Sequence, residues 1–144
     1  MHEFPHRYGV RAETKPSETV IVSSKGLPDI DSAPPAEFGG PGDKWSPETF
    51  LVAAVADCFV LSFRAIATAS RFEWTALQCD VEGTLDRKPD GLQFSAFAVR
   101  AKLTIPAGAD EAKARKLLEK AEHVCLITNS LKAGSELEAS VHIA

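Results

Sequence analysis

The sequence predicts an α+β fold in which a sheet wraps one very apolar helix. Three observations point there. The run Phe50 to Ala69 is apolar at every position except Asp57, Ser62, Arg64 and Thr68. Segments on either side of it alternate apolar and polar residues with the period of two that marks half-buried strands. A second helical pattern, amphipathic this time, falls late in the chain. With 144 residues, 44% of them hydrophobic and 25% charged, the chain suffices for one domain with a core and is too short for two. We expect a single domain over residues 1–144: an N-terminal hairpin and loop over 1–47, a central helix over 48–70, and strands, a helix and a final strand over 77–144.

In chain order, Arg7 to Glu13 alternates and Glu18 to Ser24 is rich in β-branched residues. Lys15-Pro16-Ser17 between them suits a turn, so a hairpin is expected. From Lys25 to Pro47 prolines and glycines crowd the chain, which predicts one long loop, and loops of that length are more often functional than idle. Ser46-Pro47-Glu48 then opens the central helix, with Ser46 as N-cap, Pro47 in the first helical position and Glu48 complementing the helix dipole. A helix apolar on nearly every side should be buried on nearly every side. The alternative of a membrane span is disfavoured by Asp57 and Arg64, which would each cost about 2.5–3.5 kcal/mol near a bilayer centre.

Beyond Trp74, the residues Leu77, Cys79, Val81 and Leu85 share one strand face, and Lys88-Pro89-Asp90-Gly91 is a turn leading into a strand from Leu92 to Ile105. Apolar parity in that strand switches from even to odd, which predicts a bulge near Ala96 to Ala98. Asp110 caps a helix over Glu111 to Glu122, with Leu117, Leu118 and Ala121 turned inward. The short segment Val124 to Leu131 precedes Gly134, and Leu137, Ala139, Val141 and Ile143 mark a closing strand.

Charge and cysteine usage narrow the function. A net charge of −4 supplies no basic field for nucleic acid. The amino end has neither the basic start nor the apolar run of a signal peptide, so a cytoplasmic protein is expected, without a membrane partner. Cys58, Cys79 and Cys125 include no CxxC pair and no His/Cys cluster, so no metal and no disulfide framework is expected. Cys79 lies on an inward strand face and reads as core. Cys58, within the apolar helix, is by itself most simply a small hydrophobe. Cys125 begins a helical turn, where a thiolate can be stabilised. These two cysteines are 67 residues apart, and spacing alone leaves open whether they meet.

The run Gly39 to Phe59, containing Trp45-Ser46-Pro47-Glu48 and Asp57-Cys58-Phe59, together with Val81-Glu82-Gly83-Thr84-Leu85-Asp86 and Val124-Cys125-Leu126-Ile127-Thr128-Asn129-Ser130-Leu131, resembles the OsmC/Ohr family of osmotically induced and organic hydroperoxide resistance proteins. The resemblance implies an OsmC-like fold, with antiparallel sheets wrapped around the central helix in an intertwined homodimer. It implies a thiol peroxidase acting on organic hydroperoxides without a cofactor. Cys58 would attack the peroxide, and Cys125 would resolve the sulfenic acid to a disulfide. A dithiol, borne by a lipoyl protein or a thioredoxin-like one, would reduce that disulfide. Glu48 would hold an activating arginine. The loop ahead of the helix has Glu37 near the place expected for that arginine, which leaves Arg11 on the first hairpin and, second, Lys44 as the cation. Leu126 stands where many members have proline, and Asp57 directly precedes Cys58. A second function stays open on these departures: an OsmC-like protein that binds a small apolar ligand or senses redox state.

Overall fold

The computed structural model describes residues Met1–Ala144, which group into two units, Met1–Phe50 and Leu51–Ala144. In the first unit the expected hairpin forms with shorter strands, β1 (Arg11–Glu13) and β2 (Val20–Ser23), paired antiparallel with Arg11 opposite Ser23. The turn is held by Thr14, whose hydroxyl lies 3.1 Å from the Glu18 and Thr19 carbonyl oxygens. The stretch expected to be one loop is more structured than that. It contains β3 (Ile30–Ser32), antiparallel to β2, and a 3₁₀ turn over Ala36–Phe38. Backbone bonding explains the difference, because Ser32 bridges to Trp45 and the Ala33 N–H donates to the Trp45 carbonyl at 2.9 Å. The proline- and glycine-rich chain between these contacts is thereby pinned at both ends. Gly40 serves the same tight path, since a Cβ there would run into the Pro34 carbonyl.

Helix α1 (Pro47–Ala69) starts where the sequence places it. Ser46 Oγ accepts from the Thr49 N–H at 3.2 Å, while Thr49 Oγ1 accepts from the Ser46 N–H at 2.8 Å, a reciprocal cap that satisfies two donors. The expectation of burial on nearly every side is not met. Only Val55, Phe59, Phe63 and Ala67, one stripe at four-residue spacing, are fully buried. Leu51, Val52, Val60 and Ile66 are half-buried, and Leu61 remains 49% exposed. By length and composition α1 qualifies as a membrane span, but its buried stripe belongs to the hydrophobic core. The cause of the incomplete burial is geometric: a sheet covers one side of a helix, and this helix is apolar on more than one.

The second unit is built on a three-stranded sheet of order β4-β5-β6. Strands β4 (Ala76–Lys88) and β5 (Gly91–Ile105) form the long hairpin read from Lys88 to Gly91. Thr84 pairs with Ala96 and Leu85 with Phe94, so the bulged residue is Ser95, adjacent to the expected stretch. The extra residue switches the inward set to Phe97, Val99, Ala101, Leu103 and Ile105, all fully buried. Helix α2 (Glu111–Val124) is capped by Asp110, whose Oδ1 accepts from the Lys113 N–H at 3.0 Å, and it buries Ala114, Leu117, Leu118 and Ala121. After the single turn α3 (Leu126–Asn129), strand β6 (Gly134–Ile143) returns alongside β5.

That last pairing corrects the expectation of purely antiparallel sheets: β6 runs parallel to β5, with Ala101 opposite Ala139. The helical crossover through α2 and α3 carries the chain back to the starting end of β5, which only a parallel strand can then follow. Alternation along β6 defines its inward face and says nothing of its direction. The inward faces of the sheet and one stripe each of α1 and α2 meet in one core, closed at its edge by Trp74, whose ring stands edge-on to Phe63 at 5.4 Å.

Candidate active site

Cys58 rides on α1 immediately before core residue Phe59, and its thiol is half-buried. One turn further along, Ser62 Oγ lies 3.9 Å from the sulfur. Cys125 occupies the junction of α2 and α3, where its N–H donates to the Glu122 carbonyl at 3.3 Å and its own carbonyl accepts from the Asn129 N–H at 3.0 Å. Its side chain is 1% exposed, and the Thr128 hydroxyl donates to its sulfur at 3.3 Å. The fold brings these two cysteines, both free thiols, close enough that each shifts the titration of the other. Their meeting follows from packing: the Phe59 stripe fixes one face of α1 in the core, and the buried side of α2 delivers its C-terminal end to the same place.

The two thiols titrate differently. Burial pushes Cys58 above the ordinary thiol value; the Ile127 N–H offsets part of this, and the neighbouring Cys125 adds to it by hydrogen bonding and charge. Burial also pushes on Cys125, but there the Thr128 hydroxyl and N–H, the Cys58 thiol and the Ile127 N–H outweigh it, so Cys125 ends below the ordinary value. Within one chain Cys125 is therefore the more acidic of the pair. Cys79, facing inward on β4, is pushed up to about 11 by burial and then by the charges of Asp80 and Cys125, as befits a core thiol.

The other expected site residues occupy places of their own. Glu48 is half-buried in the first turn of α1, and its Oε2 is buried with no hydrogen-bond partner. Ten residues of helix separate it from Cys58, about 15 Å of rise, beyond the reach of a glutamate side chain. Arg11 is exposed on β1, its Nη1 3.8 Å from Glu13 Oε1. Lys44 Nζ lies 3.2 Å from Asp31 Oδ2, and hydrogen bonds from Thr19 and from Lys44 hold the Asp31 carboxyl below its usual range. Asp57 is exposed. No three His, Cys, Asp or Glu side chains cluster as metal ligands. The residues that sequence reasoning did not single out are Ser62 and Thr128. Their signal was there: hydroxyls four residues after one cysteine and three after the other, on the same helical face.

Comparison with known proteins places this site in context. The profile of the family described as OsmC-like protein matches residues 40–140. The chain is 31% identical over 114 residues to the uncharacterized protein YmaD of Bacillus subtilis, covering 76% of each chain. It is 27% identical over 118 residues to the organic hydroperoxide resistance protein of Xanthomonas axonopodis pv. citri, covering 81% of this chain and 80% of that one. Among solved structures, an OsmC-like protein of unknown function from Vibrio cholerae superposes with a TM-score of 0.86 at 17% identity, covering 94% of this chain and all of the other, a likeness of fold. An organic hydroperoxide resistance protein OsmC from Legionella pneumophila superposes at 0.74 with 26% identity, covering 96% of this chain and 99% of that one. With the family profile spanning all of α1, both cysteines and most of β6, the chain belongs to the OsmC-like protein family, within the OsmC/Ohr group.

Proposed function

We propose that this protein is a thiol peroxidase that reduces organic hydroperoxides to alcohols. The observation that carries the reading is the adjacency of the Cys58 and Cys125 thiols. Cys58, the more accessible sulfur, attacks the distal peroxide oxygen as a thiolate. The O–O bond breaks, the alkoxide takes a proton and leaves as the alcohol, and Cys58 becomes a sulfenic acid. The Cys125 thiolate then attacks the Cys58 sulfur. A disulfide forms and the hydroxide takes a proton to leave as water. A dithiol, on a lipoyl protein or a thioredoxin-like one, restores both thiols. The apolar surroundings of α1 favour an alkyl peroxide, and thiols of this kind suit a reducing, cytoplasmic compartment.

The raised Cys58 thiol needs a cation to ionise at neutral pH, and within the chain Glu48 lies too far along α1 to hold one there. The uncovered apolar sides of α1 support a homodimer, in which the second copy covers that surface and brings its Glu48, with Arg11 or Lys44, toward Cys58. The decisive experiment is turnover of cumene hydroperoxide with dithiothreitol as reductant: the wild type consumes peroxide and Cys58→Ser does not. Undiminished turnover by Cys58→Ser overturns the reading. A second reading, an apolar-ligand binder or redox sensor, is favoured by the engagement of Arg11 with Glu13 and of Lys44 with Asp31. It prevails if Cys58 reacts with hydroperoxide no faster than free cysteine.

A further inference from the structure

We infer that the dithiol which re-reduces the oxidised protein attacks Cys58 Sγ, and that Thr128 is a positioning residue that readies Cys125 Sγ to leave. The inference rests on the proposed Cys58–Cys125 disulfide and adds which of its two sulfurs meets the reductant. Access comes first. A thiolate must approach a disulfide along the S–S axis, from behind the sulfur it attacks, and Cys125 is 1% exposed whereas Cys58 is only half-buried. The sulfur that receives the peroxide is also the one a reductant can reach.

The second observation concerns where the displaced charge goes. The Thr128 hydroxyl donates to Cys125 Sγ at 3.3 Å. The hydroxyl near Cys58 belongs to Ser62, at 3.9 Å, a longer and weaker contact. A donor already aimed at a sulfur stabilises it as the departing thiolate, and a better-stabilised thiolate leaves faster. Burial and hydrogen bonding thus favour the same direction of cleavage.

The exchange balances. The first thiolate of the reductant bonds to Cys58 Sγ, the Cys58–Cys125 bond breaks, and its electron pair passes to Cys125 Sγ, held by the Thr128 hydroxyl. The reductant's second thiol loses its proton to solvent and attacks the reductant's own first sulfur. That closes the reductant's disulfide and releases Cys58 as a thiolate, which takes up a proton. Two electrons have moved from dithiol to protein, and both cysteines are reduced.

The test uses the full chain, its disulfide installed with diamide so that the outcome does not depend on peroxidase turnover. N-acetylcysteine, a monothiol that cannot complete the second displacement, is added briefly; the reaction is quenched in acid, alkylated and mapped by peptide mass. The expected product carries N-acetylcysteine on Cys58 and the alkyl group on Cys125. Adduct on Cys125, or divided equally, overturns the inference, as does failure of diamide to bridge the two. Thr128→Val should slow reduction by dithiothreitol about fivefold and Thr128→Ser should restore it. An unchanged rate in Thr128→Val removes Thr128 from the mechanism. If hydroperoxide leaves the thiols unbridged while the diamide disulfide opens through Cys58, the peroxidase reading alone falls.

Discussion

Gly83 on β4 faces Val52 on α1 so closely that a Cβ on the glycine would lie 2.9 Å from the valine Cγ2, and equally near the Phe94 ring. The helix bearing Cys58 is therefore seated directly on strand backbone. Gly83→Ala should push α1 outward and destabilise the protein by about 1–3 kcal/mol, the usual cost of overpacking, read as a lowered urea midpoint. An unchanged midpoint would show that the helix yields at this point.

The two thiols of the site should behave unequally. Cys125→Ser is expected to allow one fast oxidation by tert-butyl hydroperoxide and then to accumulate sulfenic acid on Cys58, trapped by dimedone and read by mass. Cys79→Ser, on a core strand face, should alter stability and leave turnover in place. Absence of a Cys58–Cys125 disulfide in wild type oxidised by one equivalent of the hydroperoxide would remove Cys125 as the resolving thiol.

The activating cation is tested by Arg11→Ala and Lys44→Ala. The substitution that removes it should raise the Cys58 titration by a unit or more, followed by the pH dependence of alkylation, and slow peroxide reduction about tenfold or more. Lys44→Ala also releases Asp31, whose carboxyl should then titrate higher, closer to its ordinary range. If neither variant moves Cys58, the cation lies elsewhere.

The proposed homodimer is tested at the exposed flank of α1. The wild type should sediment at twice the mass of the chain at micromolar concentration, and Leu61→Glu, which puts a charge on that flank, should shift it toward the single chain. Sedimentation of the wild type as a single chain overturns the dimer and the shared site built on it.

Alkaline pH should weaken the protein through Cys79. Its thiol stays protonated to about 11 in the fold, above the ordinary value of 9.0. Between those values the folded chain holds a proton that the unfolded chain has released, so stability falls as pH rises through this window. Urea midpoints measured from pH 8 to pH 11 should decline more steeply in the wild type than in Cys79→Val, the comparison that cancels other alkaline titrations.

Local signals were legible in the sequence and long-range ones were not. Ser46-Pro47 marked the start of α1, Lys88 to Gly91 marked the β4–β5 turn, and the parity switch located the bulge within one residue of Ser95. Each rests on chemistry confined to a few neighbouring residues. Strand β3 escaped because its pairing depends on backbone contacts that prolines and glycines do not advertise, and the parallel direction of β6 escaped because alternation is the same in either sense. The family resemblance supplied Cys58 and Cys125 as a pair, but their physical adjacency and the Thr128 hydroxyl needed the fold.

The distance along the chain that concealed the cysteine pair has a thermodynamic consequence. A bridge from residue 58 to residue 125 closes a covalent loop around the second half of α1, β4, β5 and all of α2. Restricting an unfolded chain with a loop of that size removes entropy worth about 4 kcal/mol at room temperature. Each oxidation of the pair would thus staple most of the larger unit, and each reduction would release it, so that thermal resistance would report the fraction of the protein that carries the bridge.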